Sequence, residues 1–346
     1  MNKRNPIIQT ISRFTGLVVF LLSSLALTGA GVEAPSLFDQ LGHEEVLKVR
    51  LEMDLAAVLG NRRNTDSHPA VFSYKDAEGA LQRWDTKVKL RGKFRRVKCA
   101  AMPPLKLNFK KKDLAMAGLA PFDDFKLVTH CVSDDRLARD LLLREYLAYR
   151  LYNELTEESY RVQFLQITYV DSRSGSKDLQ WGFLIEDTAQ LRARLGAEKW
   201  KNPMGIDSSY FRAAQLQRVA LFQHLIGNVD WSIRSARNVK ILQREGMALV
   251  VPYDFDFSAF VGAPYRSVDQ YFSADGVTGE HQAYLTSVAD KNSLEPAWSH
   301  FLAQKEALLR TIKSCKAMRP SERRAATDFV EAFFERMEDR EDLVLR

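Results

Sequence analysis

From residue 46 to about residue 130 the chain returns to one pattern, apolar and polar side chains in turn, and the first strong helical period appears only beyond residue 133. In "VLKVRLEMDLAAVL" (46–59), Val49, Leu51, Met53 and Leu55 face one way and Lys48, Arg50, Glu52 and Asp54 the other. A period of two is incompatible with an amphipathic helix and specifies a half-buried strand. "NRRNTDSHP" reads as a loop. "AVFSYKDAEGALQRWDTKVKLRG" reads as a strand, a turn at Ala77-Glu78-Gly79, and further strands. "PPLKLNFKK" alternates again, with Leu105, Leu107 and Phe109 on one face, and "FKLVTHCV" is one more strand.

The first long helix is predicted over "SDDRLARDLLLREYLAYRLYNEL", with Ser133, Asp134 or Asp135 as its cap. Leu137, Leu141, Ala148, Leu151, Tyr152 and Leu155 form its apolar stripe, and Glu145 falls inside that stripe. A carboxylate there requires a cationic partner or a cleft. A hairpin follows, "RVQFLQITYV" and "LQWGFLIED" around the polar loop "DSRSGSKD". Then come a helical region near 208–227 and a second hairpin, "ARNVKILQ" and "ALVVPYDFDFS" around "REGM". Two amphipathic helices close the chain. Strands, a helix, strands and then helices make an α+β fold rather than alternating βαβ units. Two lobes are expected: a strand-rich one over 35–187 that includes the first long helix, and a helix-rich one over 188–346.

The first thirty residues stand apart. Lys3, Arg4 and Arg13 precede the uncharged run "LVVFLLSSLAL", and small residues follow to Ala30. This is the pattern of a secretory signal peptide, and the run is shorter than the ~20 residues of a membrane-spanning helix. An uncleaved anchor is the alternative. Removing residues 1–30 takes away those three cations and no acid, so the formal net charge falls from +6 to +3. An exported protein, periplasmic or secreted, without a membrane span after cleavage is expected. "RGKFRRVK" and "KKK" are either solvated charge or a phosphate-binding surface. With no nucleic-acid motif present, nucleic-acid binding is not expected. Export permits a disulfide. Cys99 and Cys131, which bracket a strand-rich region, are the favoured pair, leaving Cys315 free. The spacing carries no zinc signature.

The chemistry concentrates between His224 and Asp256. Asp230 lies in a loop after a helix that ends near Gly227-Asn228, Asn238 opens a strand, and Asp254 ends the paired strand. A hairpin brings its strand ends together, and oxygen ligands on it suit a hard cation. The segment resembles the atypical kinases, most of all the spore-coat CotH kinase-like family, with related patterns in HipA-like and secretory-pathway casein-kinase-like enzymes. The matching pieces are Gly227-Asn228-Val229-Asp230, Asn238 and Tyr253-Asp254-Phe255-Asp256. The resemblance implies a two-lobed atypical kinase-like fold, Asp230 as catalytic base or hydroxyl orienter, and Asn238 and Asp254 as ligands of Mg²⁺ or Mn²⁺. Asp256 is either a further ligand or a structural acid. Upstream, "KLRGKFRR" and "PPLKLNFKK" resemble the phosphate-binding region of CotH-like chains. They imply Lys106, paired with Glu145, as the group that holds ATP or another nucleotide; Lys89, Lys98 and Lys126 also lie in range. "GFLIED" resembles the strand leading to the hinge between lobes. Asn238 follows Asp230 by eight residues, where conventional kinases have five, and no glycine-rich phosphate loop is present. The reading is an exported phosphotransferase acting on a protein or glycan hydroxyl. The alternative is an inactive kinase-like binding protein of the cell envelope.

Overall fold

The computed structural model describes residues 34–265 and 291–338; the expected signal segment lies outside the described residues. Seven strands form a closed barrel: β1 (Val46–Met53), β2 (His68–Lys75), β3 (Leu81–Leu90), β4 (Leu105–Phe109), β5 (Asp124–Thr129), β6 (Val162–Asp171) and β7 (Lys177–Ile185), in the order β1-β2-β3-β4-β5-β7-β6. Every pairing is antiparallel except the one that closes the ring, β1 with β6, which runs parallel from Val46 opposite Phe164 to Met53 opposite Asp171. A mixed strand-and-helix fold was expected and is present. The closure corrects the expectation of an ordinary strand-rich lobe, and it leaves the barrel no free edge.

Alternation sorts the strand residues by side. Leu47, Val49, Leu51, Leu105, Leu107, Phe109, Phe125, Leu127, Leu165, Ile167 and Leu184 point inward and form the barrel core. Their neighbours Val128, Phe164, Phe183 and Ile185 point outward into a second core. Four short helices lie before or between the early strands: α1 (Leu37–Leu41), α2 (Leu55–Leu59), α3 (Arg95–Lys98) and α4 (Lys111–Met116). None gives a helical period visible in the sequence, because each is a turn or two long.

The second core is built on α5 (Asp135–Leu155), which Asp134 caps by accepting a hydrogen bond from the Leu137 amide. The expected stripe is buried from Leu141 onward. Leu137, in the first turn of the helix, instead stays 40% exposed. Helix α5 packs on β6 and β7. Beyond it come α6 (Thr188–Arg194), a three-stranded sheet of β8 (Glu198–Lys199), β9 (Val239–Arg244) and β10 (Met247–Pro252), and α7 (Ala213–Leu225). Helix α8 (Lys291–Ser314) packs on α5, α7 and α9 (Pro320–Glu338). No helix among the described residues is long and apolar enough to cross a membrane.

Candidate functional site

The end of α7 sets the site. Gly227 has φ +59°, the left-handed conformation that ends a helix. It lets the Gly227 amide donate to His224 O (3.0 Å) and the Asn228 amide to Gln223 O (2.9 Å). The freed carbonyls of Ile226 and Gly227 accept from the Phe260 and Ala259 amides, each at 3.0 Å. These bonds join the loop that carries Asp230 to the segment that follows Asp254 and Asp256.

Within that loop Asn228 accepts from the Asp230 amide at 3.0 Å and donates to Gln223 Oε1 at 2.9 Å. The Asn238 side-chain amide donates to both the carbonyl (2.7 Å) and the carboxylate (2.8 Å) of Asp230. Arg237 Nε stands 3.3 Å from the other carboxylate oxygen. Burial raises the pKa of Asp230, Arg237 opposes the rise, and Asp254 adds to it. Asn238 therefore contacts Asp230 directly, with its amide nitrogen committed to that residue.

Asp254 leaves β10 with φ +65°, unusual for a residue with a side chain. Its amide donates to the Tyr149 hydroxyl of α5 at 2.8 Å, and the Tyr149 ring packs on Phe255 with centroids 4.6 Å apart. Asp256 is buried and Asp254 keeps a side chain that is 31% exposed. Glu145, one helical turn before Tyr149, meets both acids: carboxylate oxygens of Glu145, Asp254 and Asp256 lie within 4.8 Å of one another.

The expected Lys106–Glu145 pair does not form. Glu145 is held by Arg95, whose guanidinium reaches its two oxygens at 3.0 and 3.3 Å, Asp254 at 2.7 Å and, through Nε, Asp256 at 3.3 Å. The contact with Asp256 is an ion pair without hydrogen-bond alignment, and that oxygen has no hydrogen-bond partner. Burial raises Glu145 and Asp256 in spite of Arg95; for the half-buried Asp254 desolvation also pushes upward, but Arg95 and Arg91 bring it below the usual carboxylate range. Lys106 bonds Asp124 at 2.6 Å instead.

Strand register explains the exchange. Lys89 lies opposite Lys106, and Lys106 opposite Lys126, so three of the four lysines in range form one row across β3, β4 and β5 on the outer face of the barrel. Lys126 ends that row beside β7, opposite Ile185, and is the one that meets the hairpin. Its ammonium lies 4.5 Å from the centre of the Tyr253 ring and 4.8 Å from that of Tyr160. Burial and the neighbouring cations Arg91, Lys240 and Lys106 push it down to about 7, against the pull of Asp254. Arg95, Tyr149 and Arg91 escaped the sequence reading. The awkward Glu145 showed that a cation had to exist, but "RGKFRRVK" offers five.

Beside the Asp230 loop is a cavity of about 340 Å³, walled by Ile206, Phe211, Leu216, Trp231 and Ile233 with Arg234 at its edge. The favoured disulfide Cys99–Cys131 is formed, and Cys315 is buried and outside any disulfide. No family model matches the chain, and no curated protein matches it. A solved structure similar to it is the proinflammatory kinase CtkA of Helicobacter pylori, at TM-score 0.39 and 10% identity, over 71% of this chain and 89% of that one. A likeness at that level fixes neither fold nor function.

Proposed function

We propose that the chain is an exported, metal-dependent phosphotransferase of two-lobed, kinase-like build, moving a phosphoryl group from ATP or another nucleotide to a protein or glycan hydroxyl. The observation that carries this reading is a charge-separated site. Lys126 shares its surroundings with Arg91, Lys106 and Lys240, and Asp254, from the opposing hairpin, lies within electrostatic reach of Lys126 and of Asp230. Phosphoryl transfer needs both: cations to hold the donor, and acids to hold its metal and orient the acceptor.

The residues fit a divalent cation. Asp254 and Asp256, with Glu145 close by, offer hard oxygen donors, and the buried Asp256 Oδ2 has no hydrogen-bond partner. Asn238, whose side-chain nitrogen is held by Asp230, would add its amide oxygen as a further donor. Bound Mg²⁺ or Mn²⁺ would offset charge developing on the transferred group. Lys126, rather than Lys106, holds the donor's phosphates. Asp230, fixed by Asn238 and raised by burial, takes up the proton of the acceptor hydroxyl. The apolar cavity at Trp231 receives the part of the acceptor next to that hydroxyl. The disulfide supports an oxidising compartment outside the cytosol.

One observation favours the second reading, an inactive kinase-like binding protein of the envelope: Arg95 occupies the space among the acids. Thermal stability with Mn²⁺ and ATP separates the two. At 100 times the dissociation constant a ligand adds about 2.7 kcal/mol. The wild type should gain this and Asp254→Asn should not. Equal shifts in both proteins would remove Asp254 from the site, and no shift in either would remove the enzyme reading.

A further inference from the structure

Arg95 sits on a short crossing between β3 and β4 that has a pivot at each end. At one end is Gly92, with φ +79° and open space where a Cβ would stand. At the other is Cys99, which ends α3 and is tied by the disulfide to Cys131, just past the strand that carries Lys126. Beyond that pivot the chain is fastened: the Ala100 and Ala101 amides donate to Cys131 O, and Arg62 donates to Cys99 O and Ala101 O. Between the pivots Arg95 is itself buried and ion-paired, and the residues around it are held more lightly. Phe94 packs edge-on against Phe257 (5.5 Å) and tilts over Tyr265 (6.4 Å), yet stays 40% exposed, and Val97 is 51% exposed. From this segment a single guanidinium reaches all three carboxylates that converge as a cation site would.

Resting on the phosphotransferase reading, we propose that residues 92–98 are an autoinhibitory latch: Arg95 stands where the divalent cation binds. Cation and guanidinium compete for the same oxygens, so the cation enters when the segment swings out about Gly92 and Cys99.

The test is Mn²⁺ binding, read from the loss of the free-ion electron paramagnetic resonance signal, which needs no turnover. Arg95→Gln should bind Mn²⁺ about tenfold or more tightly than the wild type, since the competing state is removed. Because that change leaves three acids, two of them buried, without their counter-ion, Phe94→Ala is measured beside it. It keeps every charge, loosens only the packing of the segment, and should shift affinity the same way by a smaller factor. Unchanged or weaker Mn²⁺ binding in both variants overturns the latch and makes Arg95 a structural counter-ion, while measurable wild-type binding leaves the phosphotransferase reading intact. No Mn²⁺ binding by any of the three proteins overturns both.

Discussion

At Lys126 burial works against the charge, and the sign of the effect can be followed through pH. Its folded pKa of about 7 lies below the ordinary lysine value of 10.5. Between those values the unfolded chain binds a proton that the folded chain lacks, so this group's contribution to stability rises with pH across that window. Below the folded pKa the ammonium stays charged in the fold and its penalty is greatest. Lys126→Met should therefore be stabilised relative to the wild type most at about pH 6 and progressively less toward about pH 9, in thermal melts without ligand. A difference that does not vary with pH would mean that Lys126 is solvated. Sequence parity alone could not choose this lysine. Lys89, Lys106 and Lys126 have the same outward register, and only the strand order, with β5 next to β7, decides which one meets the hairpin. Glu145 was the more legible residue, because a carboxylate in an apolar stripe announces its need for a partner.

At the scale of the element, both hairpins and the long helix follow from short-range pattern, and so does the convergence of Asp230, Asn238 and Asp254 near one strand end. What short-range pattern cannot carry is the joint between α7 and the turn after β10. Gly227 makes it in two ways. Its φ is positive, and a Cβ there would stand 2.8 Å from Ala259 Cβ, while its carbonyl accepts from the Ala259 amide. Gly227→Ala therefore combines a left-handed alanine, costing roughly 1–2 kcal/mol, with a clash that separates the loop carrying Asp230 from the segment after Asp254 and Asp256. We expect a loss of about 2–3 kcal/mol in urea unfolding, together with a weaker Mn²⁺-ATP thermal shift. Full stability with weaker binding would show that the loop moves without strain; unchanged values of both would show that the joint does not position Asp230.

At the scale of the molecule the barrel closes through β1 and β6, whose partners lie more than a hundred residues apart, from Val46 with Phe164 to Met53 with Asp171. Each strand's alternation shows which side is buried and is silent about which distant strand completes the ring, so closure was not legible while the inward faces were. The β3–β4 crossing is tied to the barrel by Cys99–Cys131, a link between residues 32 apart in sequence. A loop of that length restricts the unfolded chain by roughly 3–4 kcal/mol on the chain-entropy account. Cys99→Ser with Cys131→Ser should lower urea stability by about that amount. The backbone bonds from Ala100 and Ala101 to Cys131 O and the Arg62 contacts do not depend on the sulfurs, so the folded double mutant should keep its far-UV circular dichroism. The latch adds a second consequence. With one pivot loosened, Arg95 leaves the acids more readily, and Mn²⁺ should bind the double mutant more tightly although the protein is less stable. Loss of stability and gain of metal affinity in one variant is an outcome that a purely structural disulfide would not produce, because a cross-link that only holds the fold would weaken both together.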